Sequence, residues 1–119
     1  MKALLDTNIL IDYLGGREDA EREVGRYSHR LISSITWMEV LAGARDEAEE
    51  DVVDLFLRDF RVIEVSRLIA RTAVEIRRVH RLRLPDAIIW ATARHESAIL
   101  VTRNTKDFPK DDPAVRIPY

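Results

Sequence analysis

The chain has 119 residues, of which 46% are hydrophobic and 34% charged, and this composition predicts one globular domain over residues 1–119. The absence of cysteine excludes disulfides and thiolate metal sites, and with neither an apolar run of about 20 residues nor a secretion signal we expect a cytoplasmic protein without membrane contact. The net charge of −2 argues against coating of nucleic acid by bulk electrostatics, so any contact with phosphate has to come from a local basic patch.

The first half of the chain alternates short apolar runs with helical patterns. Gly15 and Gly16 stop the first helix. Ser34 or Thr36 is predicted to cap the helix that ends at Ala44. The predicted elements are, in order, a strand at Lys2–Leu5, helices at Ile9–Leu14 and Arg17–Tyr27, a strand at Arg30–Ser33, the helix to Ala44 and a helix at Asp46–Phe60.

The second half continues this alternation. Ser66 is predicted to cap a long helix, and Pro85 marks a break because the residue before a proline is pushed out of helical geometry. The predicted elements are a strand at Arg61–Val65, the long helix, a helix at Asp86–Ser97, a strand at Ala98–Val101, a polar turn region at Asn104–Pro113 and a strand at Val115–Ile117. Strands separated by helices predict an α/β fold with a parallel sheet covered on both faces.

Three helices carry patterns that predict which side faces the core. The helix at Asp46–Phe60 is expected to bury Val52, Val53, Phe56 and Phe60. The long helix is expected to bury Ile69, Thr72, Ala73, Ile76 and His80, and the helix after Pro85 to bury Ile89 and Ala93. On this pattern His80 is a packed core residue and not an acid or base.

Four acidic residues lie where side chains converge in such a fold. Asp6 directly follows the first strand, and Asp107 lies in the polar loop after a later buried strand. Asp86 begins a helix, and Glu39 projects from an apolar helix near Thr36. Because ligands of open parallel sheets gather outside the carboxyl ends of the strands, we expect these four acids to share one crevice.

Each of these acids also has a structural explanation. Asp6 and Asp107 stand among turn-forming residues. Asp86 can stabilise the positive end of its helix, and Glu39 can pair with an arginine or reach water. Their joint placement, and no single residue, favours a functional site.

A shared crevice of carboxylates predicts a bound cation. Neighbouring carboxylates repel and take up protons unless a cation neutralises them. An all-oxygen site suits Mg²⁺ or Mn²⁺, which can activate a water and stabilise charge on a phosphate. The chain lacks the sequence motifs of zinc proteases, phosphate-binding loops, serine hydrolases and dinucleotide-binding folds. The residues therefore predict metal-assisted hydrolysis of phosphodiester bonds.

Arginines are concentrated on the long helix and just after it. Arg67, Arg71, Arg78 and Arg81 are predicted to share one face. This face can follow an RNA backbone, or it can pair with the acidic residues between Asp46 and Asp54, and the sequence leaves both interpretations open.

Four segments resemble, in order, the blocks of PIN-domain proteins, and most of all the toxins of VapBC toxin–antitoxin modules. The segments are Leu4–Leu10, Ser33–Gly43, Leu84–Ala93 and Leu100–Phe108. The resemblance extends from Lys2 to about Phe108, and it depends on all four blocks occurring in order at PIN-like spacing.

The resemblance implies a Rossmann-like PIN domain with a parallel central sheet of four to five strands flanked by helices. It implies an endoribonuclease, dependent on Mg²⁺ or Mn²⁺, that cuts single-stranded or loop RNA such as transfer, ribosomal or messenger RNA. It also implies a homodimer and a VapB-like antitoxin partner that silences the enzyme.

The same resemblance assigns roles to individual residues. The catalytic acids are Asp6, Glu39, Asp86 and Asp107, with Asp6 and Asp86 as metal ligands and the other two as further candidates. The polar residues expected to support them or to contact substrate are Thr7, Asn8, Arg83, Thr102, Arg103 and Asn104. Many relatives have an acid where this chain has Asn104, so either Asn104 or Asp107 completes the acidic site.

Two other functions are compatible with parts of the sequence. The first is a catalytically silent PIN-like module that binds RNA or protein, which would bind RNA without turnover under any divalent metal. The second is a phosphatase or phospho-acceptor domain that uses Asp6, although Asn8 stands where such phosphatases have a second aspartate.

Overall fold

Six helices and five strands alternate along the chain in a computed structural model that describes residues 1–119. The strands are β1 (Lys2–Leu5), β2 (His29–Ser33), β3 (Arg61–Ile63), β4 (Ile99–Val101) and β5 (Val115–Arg116). The helices are α1 (Thr7–Leu14), α2 (Glu18–Gly25), α3 (Ser34–Ala42), α4 (Glu47–Leu57), α5 (Arg67–His80) and α6 (Leu84–His95). None of these helices has the length and apolar character needed to cross a bilayer.

The five strands form one parallel sheet, as predicted, and their order is β3-β2-β1-β4-β5. The chain moves outward from β1 through β2 to β3 and then returns to the other side of β1 for β4 and β5, so the strand order reverses between β1 and β4. Leu5 is the register partner of Val101, and the Asp6 amide donates to the Val101 carbonyl at 2.9 Å. The carboxyl ends of these two strands therefore lie side by side at the reversal, where ligands of such sheets bind.

Both faces of the sheet are covered, because alternate residues of each strand point to opposite sides. Leu4 packs in a cluster of 16 buried residues that includes the inner faces of α5 and α6. Ala3 and Leu5 pack in a second cluster of 12 buried residues with α1 and α4.

The starts of α1, α3 and α6 differ from the sequence-based expectation, and α1 begins at Thr7, two residues before Ile9. Ser33, and not Ser34 or Thr36, caps α3: its hydroxyl accepts from the Ile35 amide at 3.1 Å, and its backbone is still extended. The helix α6 starts at Leu84, two residues before Asp86, because a proline in the first turn needs no amide partner. The cap of α5 is confirmed, since the Ser66 hydroxyl accepts from the Ile69 amide at 3.1 Å.

The predicted core sides of α4 and α5 are correct in part. On α4 Val52 is 63% exposed and Leu57 is buried in its place, because the helix presents the side of Val53 to the sheet. On α5 the prediction for His80 is wrong: it is the last residue of the helix, beyond the covered face, and its exposed ring contacts Trp90 with centroids 4.7 Å apart. Ile69, Ala73 and Ile76 of α5 are buried as predicted, Thr72 is only half-buried, and Ile89 and Ala93 of α6 are buried as predicted.

Candidate active site

Asp6 lies at the junction between β1 and α1, where it caps the helix, and it is only 4% exposed. Its Oδ1 accepts from the Thr7 amide at 2.7 Å. Its Oδ2 accepts from the Thr102 hydroxyl at 2.7 Å and from Asn8 Nδ2 at 3.2 Å. Residues from the ends of β1 and β4 therefore fix both oxygens of one carboxylate at the reversal of the sheet.

Burial raises the pKa of the Asp6 carboxyl to about 6, although the hydrogen bonds from Thr102 and Thr7 act in the opposite direction. The negative charges of Asp86 and Glu39 raise this pKa further. Three of the predicted acids are therefore within electrostatic reach of one another.

Glu39 is exposed on α3, and its partner is a hydroxyl and not an arginine. The Thr7 hydroxyl donates to Glu39 Oε1 at 2.7 Å, and the hydroxyl oxygens of Thr7 and Thr36 are 3.0 Å apart. Because Thr7 directly follows Asp6, this contact orients Glu39 toward the same edge of the sheet.

Asp86 lies in the first turn of α6 and is 8% exposed. Its pKa is raised, chiefly by burial and also by the charges of Asp107 and Glu39, and the Arg83 guanidinium opposes this rise. Arg83 Nε and Nη2 both lie 3.4 Å from Asp86 Oδ2. Arg83, which was predicted to contact substrate, therefore lies against one of the candidate metal ligands.

The loop after β4 places Asp107 near Asp86. Asn104 Nδ2 donates to Asp107 Oδ2 at 2.9 Å, and the Asp107 amide donates to Asn104 Oδ1 at 3.1 Å. The Asn104 amide donates to the Thr102 hydroxyl at 3.0 Å. Asn104 thus orients Asp107 within a loop that is anchored beside Asp6.

The four acids are brought to one edge of the sheet but not to a single point. No group of three or more aspartate, glutamate or histidine side chains is close enough to hold one ion by direct contact. Mg²⁺ retains several waters and commonly binds through only one or two carboxylates. The all-oxygen donors, and the raised pKa values that a cation would lower, fit such a hydrated ion.

Arg103, the second arginine predicted to contact substrate, forms an ion pair with Asp12 of α1. Its Nε and Nη2 donate to the two Asp12 oxygens at 2.8 and 3.2 Å, and the Tyr119 hydroxyl donates to Asp12 at 2.7 Å. The Arg17 guanidinium lies 4.2 Å from the centre of the Tyr119 ring. Sequence reasoning missed Asp12 and Tyr119, because Asp12 lies within a helix and Tyr119 lies beyond the last strand, so no strand end places them at the site.

The arginines of the long helix do not pair with the acidic helix α4. Residues of α4 form their ion pairs with Arg45 and with Arg58. Arg67, Arg71, Arg78 and Arg81 are all exposed, and Arg81 has left the helix, with a φ of 56°. Of the two interpretations that the sequence leaves open, the pairing with α4 is therefore wrong, and a role in binding RNA stays a prediction.

Comparisons with known proteins agree with this fold. A family profile described as "PIN domain" matches residues 3–111. A toxin–antitoxin complex from Klebsiella pneumoniae contains a chain with 44% sequence identity and a TM-score of 0.93, covering 99% of this chain and 98% of that one. No curated protein matches the sequence significantly.

Two more distant structures are VapBC complexes described as bound to DNA. The complex of VapBC2 from Rickettsia felis with a fragment of its promoter gives 25% identity and a TM-score of 0.80, over 97% of this chain and 96% of that one. VapBC from Salmonella typhimurium gives 25% identity and a TM-score of 0.78, over 98% and 96%.

Proposed function

This chain belongs to the PIN domain family, and on that basis we propose that it is the nuclease toxin of a toxin–antitoxin pair, an endoribonuclease that depends on Mg²⁺ or Mn²⁺. The observation that carries the proposal is Asp6, a buried and fully hydrogen-bonded carboxylate whose pKa is raised to about 6 by burial and by its acidic neighbours. A buried acid in this setting is typical of a site that holds a cation.

The residues of the site have separable roles. Asp6 and Asp86 hold the ion, and Glu39 and Asp107 supply further negative charge around it. When bound, a divalent ion lowers the pKa of a coordinated water and neutralises charge on the phosphate. Thr102 orients Asp6, Thr7 orients Glu39 and Asn104 orients Asp107.

Single-stranded or loop RNA is the proposed substrate. Bases in loops can be splayed out and bound individually, which a duplex does not allow. The net charge of −2 means that RNA has to be held by local contacts and not by the overall field of the protein.

An antitoxin and a second copy of the chain are the proposed protein partners. The similar chain from Klebsiella pneumoniae was solved as a toxin–antitoxin complex. In this chain the outward sides of α4 and α5 expose large apolar residues, among them Leu55 at 65% and Val79 at 75%. Exposed apolar surface of this kind on two helices is typical of protein–protein contact.

The test is cleavage of RNA by the purified protein without antitoxin. With Mg²⁺ or Mn²⁺ we expect cleavage, and with EDTA none. Asp6→Asn should lower the rate by about 100-fold or more, since it removes one charge of a site that supplies several kcal/mol. Asp51→Asn makes the same charge change on the exposed side of α4 and should cleave like the wild type.

Two results would contradict the proposal. One is cleavage by Asp6→Asn at the wild-type rate, with folding checked by circular dichroism. The other is tight RNA binding by the wild type with no turnover under any divalent metal, which would indicate a catalytically silent RNA-binding module.

A further inference from the structure

A polar cleft opens directly beside Asp6, on the outer side of the loop that follows β4. Its volume is about 350 Å³, and its lining contains no hydrophobic residue. The lining residues are Asn8, Arg103, Asn104, Thr105 and Lys106. Asn8 joins the cleft to the acidic site, because its Nδ2 lies 3.2 Å from Asp6 Oδ2.

The arginine of the cleft is fixed before any ligand arrives. Asp12 holds the Nε and Nη2 of Arg103, and the Arg103 amide donates to Asn8 Oδ1 at 3.1 Å. The guanidinium Nη1 forms no hydrogen bond within the protein. A guanidinium anchored along one edge keeps donors for an acidic ligand and loses little entropy on binding it.

The two asparagines of the cleft are fixed as well. Asn8 donates to Asp6 and accepts from Arg103, so its amide orientation is set. Asn104 is locked by its two reciprocal hydrogen bonds with Asp107. The cleft is therefore a preformed polar surface, and little side-chain ordering opposes the binding of a ligand.

Lys106 supplies a positive charge that no ion pair neutralises. It is exposed, and none of the ion pairs of the chain includes it. Among the residues that line the cleft, Arg103 is paired with Asp12, so Lys106 carries the one positive charge there that no ion pair neutralises.

We propose that this cleft binds a phosphate group of the RNA strand next to the phosphate that is cut, with Lys106 and the anchored Arg103 as its donors. This inference rests on the proposed function, and it names the contact that holds the strand in register beside the acids. A phosphodiester fits the chemistry, because it is a small anion that accepts hydrogen bonds from a lysine and a guanidinium at once.

The test measures binding without cleavage. A short fluorescein-labelled oligouridine is titrated with the full-length protein in EDTA, by fluorescence anisotropy, at several salt concentrations. Lys106→Ala should weaken binding and lower the slope of log affinity against log salt by about 0.7, the value for one contact with a single strand. Lys110→Ala is the matched control, because it removes the same charge from an exposed lysine outside the cleft, and it should leave the slope unchanged.

Lys106→Arg should keep the wild-type slope, since it keeps a charged donor in the cleft. The proposal is overturned if Lys106→Ala and Lys110→Ala lower the slope equally, because the effect would then be bulk charge. It is also overturned if the wild type shows no salt-dependent binding of RNA.

A free anion is distinguished from the strand by a parallel titration with inorganic phosphate, followed by the amide NMR signals of residues 102–107. Shifts that depend on Lys106, together with RNA affinities that do not, would assign the cleft to free phosphate and reject the RNA contact. Cleavage assays of the same variants separate this inference from the proposed function. If the wild type cleaves RNA and Lys106→Ala binds RNA normally, only the phosphate contact in the cleft is rejected. If the wild type never cleaves RNA, the nuclease function itself is rejected.

Discussion

Asp6 is well anchored by hydrogen bonds and yet electrostatically unfavourable when it is charged. Its raised pKa means that the folded chain binds a proton more tightly than the unfolded chain, whose aspartates titrate near 3.8. Between pH 3.8 and about 6 the folded state therefore carries more protons, and the free energy of unfolding falls as the pH rises. Above about pH 6 Asp6 is charged in both states, and the free energy of unfolding has fallen by its full amount.

Asp6→Asn should therefore stabilise the metal-free protein near pH 7. The gain in the free energy of unfolding has an upper limit of about 3 kcal/mol and should nearly vanish near pH 4, where Asp6 is mostly protonated in the fold. Urea unfolding in EDTA at the two pH values measures it, with Asp51→Asn as the control. A difference in stability between the variant and the wild type that stays the same from pH 4 to pH 7 would show that burial does not raise the pKa of Asp6.

At this scale the sequence predicts the site better than its surroundings. Asp6 and Thr102 each directly follow a buried strand. Because the carboxyl ends of parallel strands lie at the same edge of a sheet, the two residues are expected to meet. Asp12 and Tyr119 gave no such signal, because Asp12 lies within α1 and Tyr119 lies beyond β5, so neither directly follows a strand that leads to the site. Lys106 did carry a signal, as a cation in a loop at the carboxyl end of a strand.

Among the elements, the junction between β2 and α3 shows why helix boundaries are hard to predict. Ser33, Ser34 and Thr36 have nearly equal capping chemistry. Ser33 is the cap because it pairs in register with Ile63 of β3 and keeps an extended backbone until the helix begins. Strand pairing of this kind cannot be read from a local pattern.

Ser33→Ala should lower the free energy of unfolding by about 1–2 kcal/mol, since it removes the cap of the helix that carries Glu39. Ser34→Ala is the control, and it should change stability by less than about 0.5 kcal/mol because Ser34 caps nothing. Both values come from urea unfolding at neutral pH. A larger loss from Ser34→Ala than from Ser33→Ala would contradict the cap assignment.

Across the whole molecule, an ion pair between the buried Glu23 and the half-buried Arg116 joins α2 to the last strand. Glu23 accepts from Arg116 at 2.7 and 3.0 Å and from the Tyr27 hydroxyl at 2.6 Å, and it is almost fully buried. Burial alone would raise the pKa of Glu23, but the hydrogen bonds from Arg116 and Tyr27 outweigh burial and place it below its usual value. The pair therefore stabilises the fold above the ordinary pKa of glutamate, and this contribution is lost as the pH falls through the lowered value.

Glu23→Gln should cost about 1–3 kcal/mol at neutral pH, because it replaces charge-assisted hydrogen bonds to the partly exposed Arg116. The difference from the wild type should shrink in acid, once Glu23 itself is protonated. Unfolding midpoints across the acid range measure this, and Glu21→Gln on the exposed side of the same helix should follow the wild type at every pH. A constant difference between Glu23→Gln and wild type down to the lowest pH would show that the charge of Glu23 is not what matters.

The fold as a whole could be predicted from the alternation of strands and helices, together with the four segments that resemble PIN-domain proteins. The order of the strands could not be derived from that alternation, because β1 pairs with β4 across almost the full length of the chain. Contacts this distant depend on how the layers pack and not on any local preference.

The central position of β1 has a consequence for how the protein is made. During translation Asp6 emerges first, but its partner Thr102 follows 96 residues later, and Asp107 later still. A ribosome can therefore release no early fragment that contains the assembled pocket. A cell that makes this nuclease therefore meets its activity only after β4 and the loop that carries Asp107 have been synthesised.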